Sequence, residues 1–210
     1  MVYHHHNNYV KKPFTNYLNI DEIKTVFEVG ARECRYTNEL LHFYNKAQVI
    51  HSFECNPYTI ADCYKNIADP KIVFNNIAIS NKEGFIEFHP TCTEGDFGFS
   101  SQYIQKGHED NIKEKIRVPC ITLDTYTQTK NITNIDLMVM DIEGGELDAF
   151  RGAINTLKIT KNILVEVSLV QRFGNGPLFN DITDFLKLNN FKRIIYGGDE
   201  NVGDCLYTRK

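Results

Sequence analysis

The stretch Thr25-Val26-Phe27-Glu28-Val29-Gly30-Ala31-Arg32-Glu33-Cys34 decides the fold class of this chain. A short apolar segment runs up to Gly30, and a polar segment suited to a helix follows it. This order predicts a buried strand over residues 25–29 and a helix over residues 33–45. In α/β proteins a nucleotide-like ligand binds at such a place, over the strand's carboxyl end and against the helix N-terminus. Gly30 permits the tight turn there and, having no Cβ, lets a ligand approach closely.

The same strand-then-helix pattern recurs along the rest of the chain. Further strands are predicted at residues 48–53, 71–74, 136–140, 162–167, 191–196 and 203–208, and further helices at 57–67, from 141 onward and at 178–188. This alternation predicts an α/β fold with a mostly parallel sheet and helices on both faces. The link through Gly197 and Gly198 is too short for a parallel crossover, so the last strand is predicted to be antiparallel.

Other segments are less regular. Residues 77–79 and 85–88 are predicted to form a hairpin-like piece, and residues 116–121 another extended segment. Residues 90–114 form a long loop of the kind that is usually functional or disordered. Asp124 is interpreted as a helix cap. We expect an N-terminal lead-in over residues 1–24 and a single domain over residues 25–210.

Composition limits the class of protein. The 210 residues are 42% hydrophobic and 24% charged, with a net charge of −4 and a pI of about 6.0. These values are typical of a soluble globular domain, and the acidic balance argues against a nucleic-acid partner. No apolar run approaches the roughly 18 residues of a membrane span. The six cysteines contain no CxxC pair and no signal-peptide segment is present, so we expect reduced thiols and a cytoplasmic location.

Acidic or amide side chains stand at or near the ends of five predicted strands, namely Glu28, Glu54, Asn76, Asp141 and Glu166. Because the carboxyl ends of parallel strands share one edge, we expect these side chains to face one crevice. Glu54 follows Gly30 by 24 residues, close to the spacing at which an acid accepts hydrogen bonds from a ribose. The plain alternative is a solvated loop carboxylate.

Several motifs in order resemble a known family. They are Phe27-Glu28-Val29-Gly30-Ala31, Phe53-Glu54-Cys55-Asn56-Pro57, Asn76-Ile77-Ala78-Ile79-Ser80, Ser100-Ser101, Thr122-Leu123-Asp124 and Met140-Asp141-Ile142-Glu143-Gly144-Gly145-Glu146. Over residues 25–196 the chain resembles the FkbM family of S-adenosylmethionine-dependent O-methyltransferases. The resemblance implies a class I methyltransferase (Rossmann-like) sheet, S-adenosylmethionine as methyl donor, and a hydroxyl acceptor, often on a sugar or glycan. It also implies a fused or associated glycosyltransferase, with this chain as one module.

The resemblance, together with the strand-end pattern, gives a set of candidate cofactor ligands. They are Glu28, Gly30, Ala31, Glu54, Cys55, Asn76, Ile77, Ser101 and Asp141. The first motif departs from the family's usual Asp-Val-Gly-Ala-Asn-Xaa-Gly, because Glu28, Arg32 and Cys34 replace the Asp, the Asn and the second Gly. These changes affect the outer contacts to the methionine end of the cofactor. Met140 stands where many members carry Lys, so a mechanism that uses a Lys there is unavailable.

Methyl transfer to a hydroxyl requires an aligned acceptor oxygen and a sink for its proton. One hypothesis makes Asp141 or Glu143 the base, with help from His108. A second places a divalent ion such as Mg²⁺, Mn²⁺ or Ca²⁺ on Asp141 and Glu166, where it orients two sugar hydroxyls. A third gives the acids near residue 141 only the structural role of an acid-rich first helical turn. All three stay open at this point.

Two other functions compete with methyl transfer. A nicotinamide-dependent oxidoreductase can share the same strand–turn–helix start, but the turn at Gly30 lacks the full GxGxxG pattern. A non-catalytic module that binds S-adenosylmethionine and transfers nothing is the second alternative, and the altered first motif keeps it open.

Overall fold

The computed structural model describes residues 10–92 and 97–210. The strands in these ranges are β1 (Thr25–Val29), β2 (Val49–Phe53), β3 (Ile72–Asn75), β4 (Ala78–Ile79), β5 (Gly84–Phe88), β6 (Ile116–Ile121), β7 (Ile135–Met140), β8 (Thr160–Ser168), β9 (Phe191–Gly198) and β10 (Val202–Arg209). The α-helices are α1 (Arg35–Phe43), α2 (Ile60–Asn66), α3 (Leu123–Thr129), α4 (Glu146–Arg151), α5 (Ile154–Lys158) and α6 (Phe179–Leu188). Short 3₁₀ helices occupy Phe14–Tyr17, Ile20–Glu22 and Glu109–Asn111.

Seven strands form the central sheet, in the order β3-β2-β1-β7-β8-β10-β9. Strands β3, β2, β1, β7 and β8 pair in parallel, whereas β10 lies antiparallel between β8 and β9. The predicted mostly parallel sheet with an antiparallel last strand is therefore confirmed. The turn between β9 and β10 is closed by Asp199, whose Oδ1 accepts hydrogen bonds from the backbone N–H groups of Asn201 (2.7 Å) and Val202 (3.0 Å).

Both faces of the sheet are covered, as β7 illustrates. All six of its residues are buried, and the apolar residues from Leu137 to Met140 alternate between two apolar clusters. Met138 and Met140 join a cluster that also holds Phe150 of α4. Leu137 and Val139 join the opposite cluster. This double burial explains the uninterrupted apolar run that predicted β7, because a strand covered on both faces shows no polar alternation.

The described part of the lead-in, residues 10–24, packs against the sheet, whereas residues 1–9 lie outside the described ranges. Phe14 is 1% exposed and belongs to the same apolar cluster as Leu40 and Tyr44 from the α1 region. Its ring also lies close to the backbone of β9, since a Cβ at Gly197 would come within 2.9 Å of the Phe14 Cζ atom. The lead-in thus completes one face of the core.

The predicted hairpin of residues 77–79 and 85–88 is wrong. In the structure β4 and β5 do not pair with each other, because β6 lies between them in a separate three-stranded sheet. Strand β6 runs parallel to β4 and antiparallel to β5. The polar turn between β4 and β5 was visible in the sequence, but the partner strand lies far along the chain.

Asp124, predicted to be a helix cap, does not cap α3, the helix in which it lies, but contacts the start of α5. Thr122 caps α3, its Oγ1 accepting a hydrogen bond from the Thr125 N–H (3.1 Å). The Asp124 carboxylate instead accepts hydrogen bonds from the N–H groups of Asn155 (2.9 Å) and Thr156 (2.7 Å), at the start of α5. Asp124 therefore fastens α3 to α5.

None of the helices in residues 10–92 and 97–210 combines the length and the apolar character needed to cross a lipid bilayer.

Phe14→Ala tests whether the lead-in belongs to the core. We expect the free energy of unfolding to fall by about 3 to 5 kcal/mol, because a buried aromatic side chain is removed and a cavity remains. Tyr17→Ala is the matched control, since Tyr17 lies in the same 3₁₀ helix but is 54% exposed, and its effect should stay within about 0.5 kcal/mol. Urea unfolding measures both, and equal losses for the two variants would contradict the described packing.

Candidate functional site

The site is built around Gly30, where the carboxyl ends of three strands meet. Gly30 has a φ of +96°, and a Cβ placed on it would lie 1.8 Å from the carbonyl oxygen of Asp141. The Asp141 N–H donates to the carbonyl of Val29 (2.9 Å), and the Gly30 N–H donates to that of Phe53 (3.0 Å). Only glycine combines this φ with so close a contact. The ends of β2, β1 and β7 are thereby drawn into one crevice.

A cavity with about 890 Å³ of space, part of it open to solvent, lies over this crevice. One wall is apolar and comes mainly from the segment after β3 and the three-stranded sheet, with Ile77, Ala78, Ile79, Ile86 and Phe88. A second group of lining residues, which we call the acidic wall, consists of Glu28, Glu54, Asp141 and Glu143. Such a cavity suits a ligand that has one apolar end and one cationic end.

Glu54 is fixed at the end of β2 by the backbone. Its Oε2 accepts a hydrogen bond from the Arg32 N–H (2.8 Å), and its Oε1 accepts from the N–H groups of Cys55 (2.8 Å) and Asn56 (2.6 Å). Burial raises the pKa of Glu54 to about 7 although these three hydrogen bonds favour the ionised form. A carboxylate has about four acceptor positions, so Glu54 retains capacity for a ligand hydroxyl.

Glu28 lies one strand away and is 2% exposed. Its Oε2 accepts hydrogen bonds from the hydroxyls of Thr37 (2.5 Å) and Ser52 (2.8 Å). Burial raises the pKa of Glu28 to about 7, and the nearby Glu54 carboxylate adds to the rise. Glu28 thus ties the start of α1 to β2 while it also lines the cavity floor.

The turn between β7 and α4 carries two acids into the cavity and is held by a third. Glu146 is 4% exposed, and its Oε1 accepts hydrogen bonds from the N–H groups of Ile142 (3.0 Å) and Gly144 (3.2 Å). Burial raises the pKa of Glu146 to about 7. Glu143 takes a left-handed conformation with a φ of 54°. This turn presents Asp141 and Glu143 side by side.

Behind this turn a cluster of acids surrounds one arginine. Asp141, Glu143 and Glu166 each place one carboxylate oxygen within 4.8 Å of the others. The Arg172 Nη1 donates to Glu166 Oε2 (3.3 Å), and its Nη2 lies 3.7 Å from Glu143 Oε2. Asp204 of β10 pairs with Glu166 across the sheet and is 2% exposed.

The charges in this cluster shift one another's pKa values. Burial, and then the neighbouring Asp141, raise the pKa of both Glu143 and Glu166 well above the usual range. Burial alone would lower the pKa of Arg172, but Glu143 and Glu166 raise it. The cluster is therefore a place that favours protons and other positive charge.

The roof of the cavity is the segment 97–106, which we call the roof segment. Its residues Phe97, Gly98, Ser100 and Gln102 line the cavity. Asp148 of α4 anchors it, since the Asp148 Oδ2 accepts hydrogen bonds from Gln102 Nε2 (3.1 Å) and the Tyr103 hydroxyl (2.7 Å). The predicted long loop thus contributes directly to the site, although residues 93–96 lie outside the described ranges.

The structure brings most of the predicted site residues together. Those that line the cavity are Glu28, Gly30, Glu54, Cys55, Ile77, Asp141 and Glu143. Glu166 does not line it, but lies behind Asp141 and Glu143 in the acid cluster.

Besides Glu166, four predicted site residues are absent from the described cavity lining, namely Ala31, Asn76, Ser101 and His108. Ala31 is buried in an apolar cluster with Cys34 and Cys63, and Asn76 points to solvent just before the cavity-lining Ile77. Ser101 is 1% exposed and its hydroxyl donates to the Glu143 carbonyl (2.6 Å), so Ser100 rather than Ser101 lines the cavity.

His108, expected to assist the base, packs against Phe99 with ring centroids 5.1 Å apart and an interplanar angle of 39°, and its Nδ1 contacts Asn111 (3.1 Å). It is not among the cavity-lining residues of the described chain. The expected help of His108 to the base therefore stays a prediction, without support from the described cavity lining.

Other residues of the site were missed. Tyr36 and Gln102 line the cavity, and Arg172 occupies the acid cluster. Arg32 was recognised only as a departure from the family motif, yet it lines the cavity. No motif in the sequence singles out Tyr36 or Arg172, so only the fold could reveal them.

Comparison with known proteins assigns the family. The profile described as the Methyltransferase FkbM domain matches residues 28–193. The chain belongs to the FkbM methyltransferase family. A curated relative, the 2-O-methyltransferase NoeI of Sinorhizobium fredii (strain NBRC 101917 / NGR234), is 29% identical over 164 residues, covering 73% of this chain and 67% of that protein. This FkbM protein is an S-adenosylmethionine-dependent methyltransferase, which decides against the nicotinamide oxidoreductase and the non-catalytic module.

Solved structures show the same fold. The FkbM methyltransferase of Methylobacillus flagellatus KT has a TM-score of 0.51 and 15% identity, covering 90% of this chain and 44% of that one. The magnesium protoporphyrin IX methyltransferase of Synechocystis PCC 6803 with bound S-adenosylmethionine has a TM-score of 0.50 and 7% identity, covering 91% and 72%. The class I methyltransferase sheet implied by the resemblance is confirmed.

Gly30→Ala tests the close approach of β1 and β7. A Cβ at Gly30 collides with backbone, so we expect the free energy of unfolding to fall by about 3 kcal/mol or more and S-adenosylhomocysteine binding to be lost. Gly84→Ala is the control, because Gly84 also has a positive φ (+107°) but no atom within 4 Å of the added Cβ. That variant should lose only about 1 to 2 kcal/mol. Urea unfolding and calorimetric titration compare them, and equal losses would refute the contact.

Glu28→Gln tests the raised pKa of Glu28. Because the folded protein holds this proton up to about pH 7 instead of 4.5, the contribution of Glu28 to stability is full at low pH and is lost as the pH rises to about 7. The stability difference between wild type and Glu28→Gln should therefore fall by up to about 3 kcal/mol across this window.

Urea unfolding at a series of pH values measures this difference. Glu39→Gln, at an exposed position of α1, is the matched control for a glutamate-to-glutamine change outside the cavity. A stability difference for Glu28→Gln that does not change with pH would show that folding does not raise the pKa of Glu28.

Proposed function

We propose that this FkbM methyltransferase transfers the methyl group of S-adenosylmethionine to a hydroxyl of a sugar or glycan, with Asp141 accepting the hydroxyl proton. The observation that carries the proposal is the pairing of Asp141 and Glu143 at the acidic wall, beside the Gly30 turn. The relative NoeI supports transfer to oxygen, since it is named a 2-O-methyltransferase. The aromatic side chains of Tyr36, Phe88 and Phe97 in the cavity suit the apolar faces of a sugar ring.

In the proposed placement the cofactor follows the order of the strands. The adenine lies between Cys55 and Ile77, and the ribose hydroxyls donate to Glu54, which lines the cavity at the end of β2. The sulfonium then lies over Gly30 and faces Asp141. This order matches a positive sulfur with the acidic wall and the adenine with the apolar wall.

Methyl transfer to a sugar hydroxyl also requires that the hydroxyl proton be removed. A sugar hydroxyl is a weak acid, so transfer is faster when a positioned base takes its proton as the new bond forms. The acceptor oxygen attacks the methyl carbon, the bond from that carbon to sulfur breaks, and the proton passes to Asp141. The products are a methyl ether and S-adenosylhomocysteine. Arg172 holds Glu143 and Glu166 in place behind Asp141 through its contacts at 3.7 Å and 3.3 Å.

A divalent ion on Asp141 and Glu166 is the second candidate mechanism. Its support is that oxygens of Asp141, Glu143 and Glu166 lie within 4.8 Å of one another and are ligands that Mg²⁺ or Mn²⁺ prefers. Against it, the Arg172 guanidinium already contacts Glu166 and approaches Glu143, so an ion would compete with Arg172 for the same oxygens. We therefore favour the metal-free base. A fused or associated glycosyltransferase stays a prediction from the resemblance.

A transfer assay tests the function. Wild-type protein with S-adenosylmethionine labelled in the methyl group should label sugars in a panel of glycans, proteins and small alcohols, and EDTA should leave the rate unchanged. Asp141→Asn should lower kcat by about 10²- to 10⁴-fold, because the proton acceptor is lost, with the Kd for S-adenosylhomocysteine changed far less. Asp184→Asn, at an exposed position of α6, is the control and should keep the wild-type rate.

Each part of the proposal has its own contrary result. Label in proteins or small alcohols but in no sugar would refute the acceptor class. A wild-type rate for Asp141→Asn would refute the base. A rate that EDTA abolishes and Mn²⁺ or Mg²⁺ restores would replace the metal-free mechanism by the divalent-ion version.

A further inference from the structure

We propose that Arg32 binds the carboxylate of the methionine portion of S-adenosylmethionine and makes cofactor affinity depend on that group. The inference rests on the placement of the cofactor proposed above. It concerns a residue just after the glycine turn that lines the cavity and whose positive charge acts on the cavity-lining Glu143. It does not depend on the identity of the acceptor.

The backbone of Arg32 is held from both sides. Its N–H donates to Glu54 Oε2 (2.8 Å), and its carbonyl accepts a hydrogen bond from the Cys63 thiol (2.8 Å). Its φ of 51° lies in the left-handed region. These contacts fix the origin of the Arg32 side chain next to the carboxylate proposed to bind the ribose.

The charges of the cavity point to Arg32 as the anion-binding group. Among the described residues that line the cavity, the acids are Glu28, Glu54, Asp141 and Glu143, and Arg32 is the single Lys or Arg. S-adenosylmethionine carries two positive groups, the sulfonium and the ammonium, and one negative group, the carboxylate. The acidic wall attracts the first two and repels the third, so the carboxylate is most stable beside Arg32.

The geometry of the guanidinium suits this role. The Arg32 Nε donates to Glu33 Oε1 (3.1 Å), which orients the planar group at the edge of the cavity. A guanidinium has five donors in a fixed plane and binds a carboxylate through two parallel hydrogen bonds. Helix α1 begins three residues later, and the partial positive charge of its N-terminus adds to the attraction.

Paired ligands and variants test the inference. Calorimetric titration of the full chain compares S-adenosylhomocysteine with its decarboxylated analogue, which lacks only the carboxylate. Wild type should bind the analogue about tenfold to hundredfold more weakly, because a charge-assisted contact is lost. Arg32→Gln should weaken S-adenosylhomocysteine by the same factor and leave the analogue unchanged, so that the two ligands bind equally.

Two further variants control for charge and for folding. Arg35→Gln removes the same charge from an exposed position three residues away and should preserve the wild-type preference. Arg32→Lys keeps the charge without the planar fork and should give an intermediate preference. The wild-type comparison of the two ligands needs no variant, so a folding defect in Arg32→Gln leaves the test intact.

The contrary results are distinct. Equal affinity of wild type for both ligands would overturn the role of Arg32, as would an equal loss for both ligands in Arg32→Gln, and either result leaves the proposed function standing. A wild type that binds neither ligand would overturn the proposed cofactor placement and this inference with it.

Discussion

The contact between Gly30 and the carbonyl of Asp141 is the constraint on which the rest of the site depends. The two backbones approach so closely that a Cβ at Gly30 would sit 1.8 Å from that oxygen. Because β1 and β7 are neighbours in the parallel sheet, this contact fixes the end of one strand against the end of the other. Glu54 enters the same arrangement through the Arg32 N–H, one step beyond the glycine turn. The absence of a side chain at Gly30 thus sets the spacing between Glu54, the proposed ribose ligand, and Asp141, the proposed base.

Several buried carboxyl groups lie around this contact, and burying a charged group costs free energy unless the charge is compensated. Glu28, Glu54 and Glu146 each have a pKa raised to about 7 by burial, and burial also raises the pKa of Glu143 and Glu166 well above the usual range. A protein keeps such groups only where something compensates for them. Hydroxyls and backbone N–H groups do so at the first three, and Arg172 does so at the last two. A sulfonium cofactor would supply further positive charge when bound.

The central sheet could be predicted from the sequence, but only part of the site could. The apolar run into Gly30 and the short link at Gly197 are local signals, and they predicted the parallel core and its antiparallel end. The pairing of β4 and β5 with β6 was missed because the partner strand is distant in the chain. Ser100 and Ser101 show a finer limit, since neighbouring side chains of an extended segment point to opposite sides and no motif says which one faces the ligand. Arg172 had no local signal, because its position follows from the chain returning to the acids.

The hydrogen bond from the Ser101 hydroxyl to the Glu143 carbonyl joins the roof segment to the turn that carries Asp141 and Glu143. The Ser101 hydroxyl oxygen also accepts a hydrogen bond from the Tyr103 N–H (2.9 Å), so this one hydroxyl contacts both the roof segment and the turn after β7. The position of the roof segment is therefore coupled, through one hydrogen bond, to the backbone of the turn that presents Asp141 and Glu143 to the cavity.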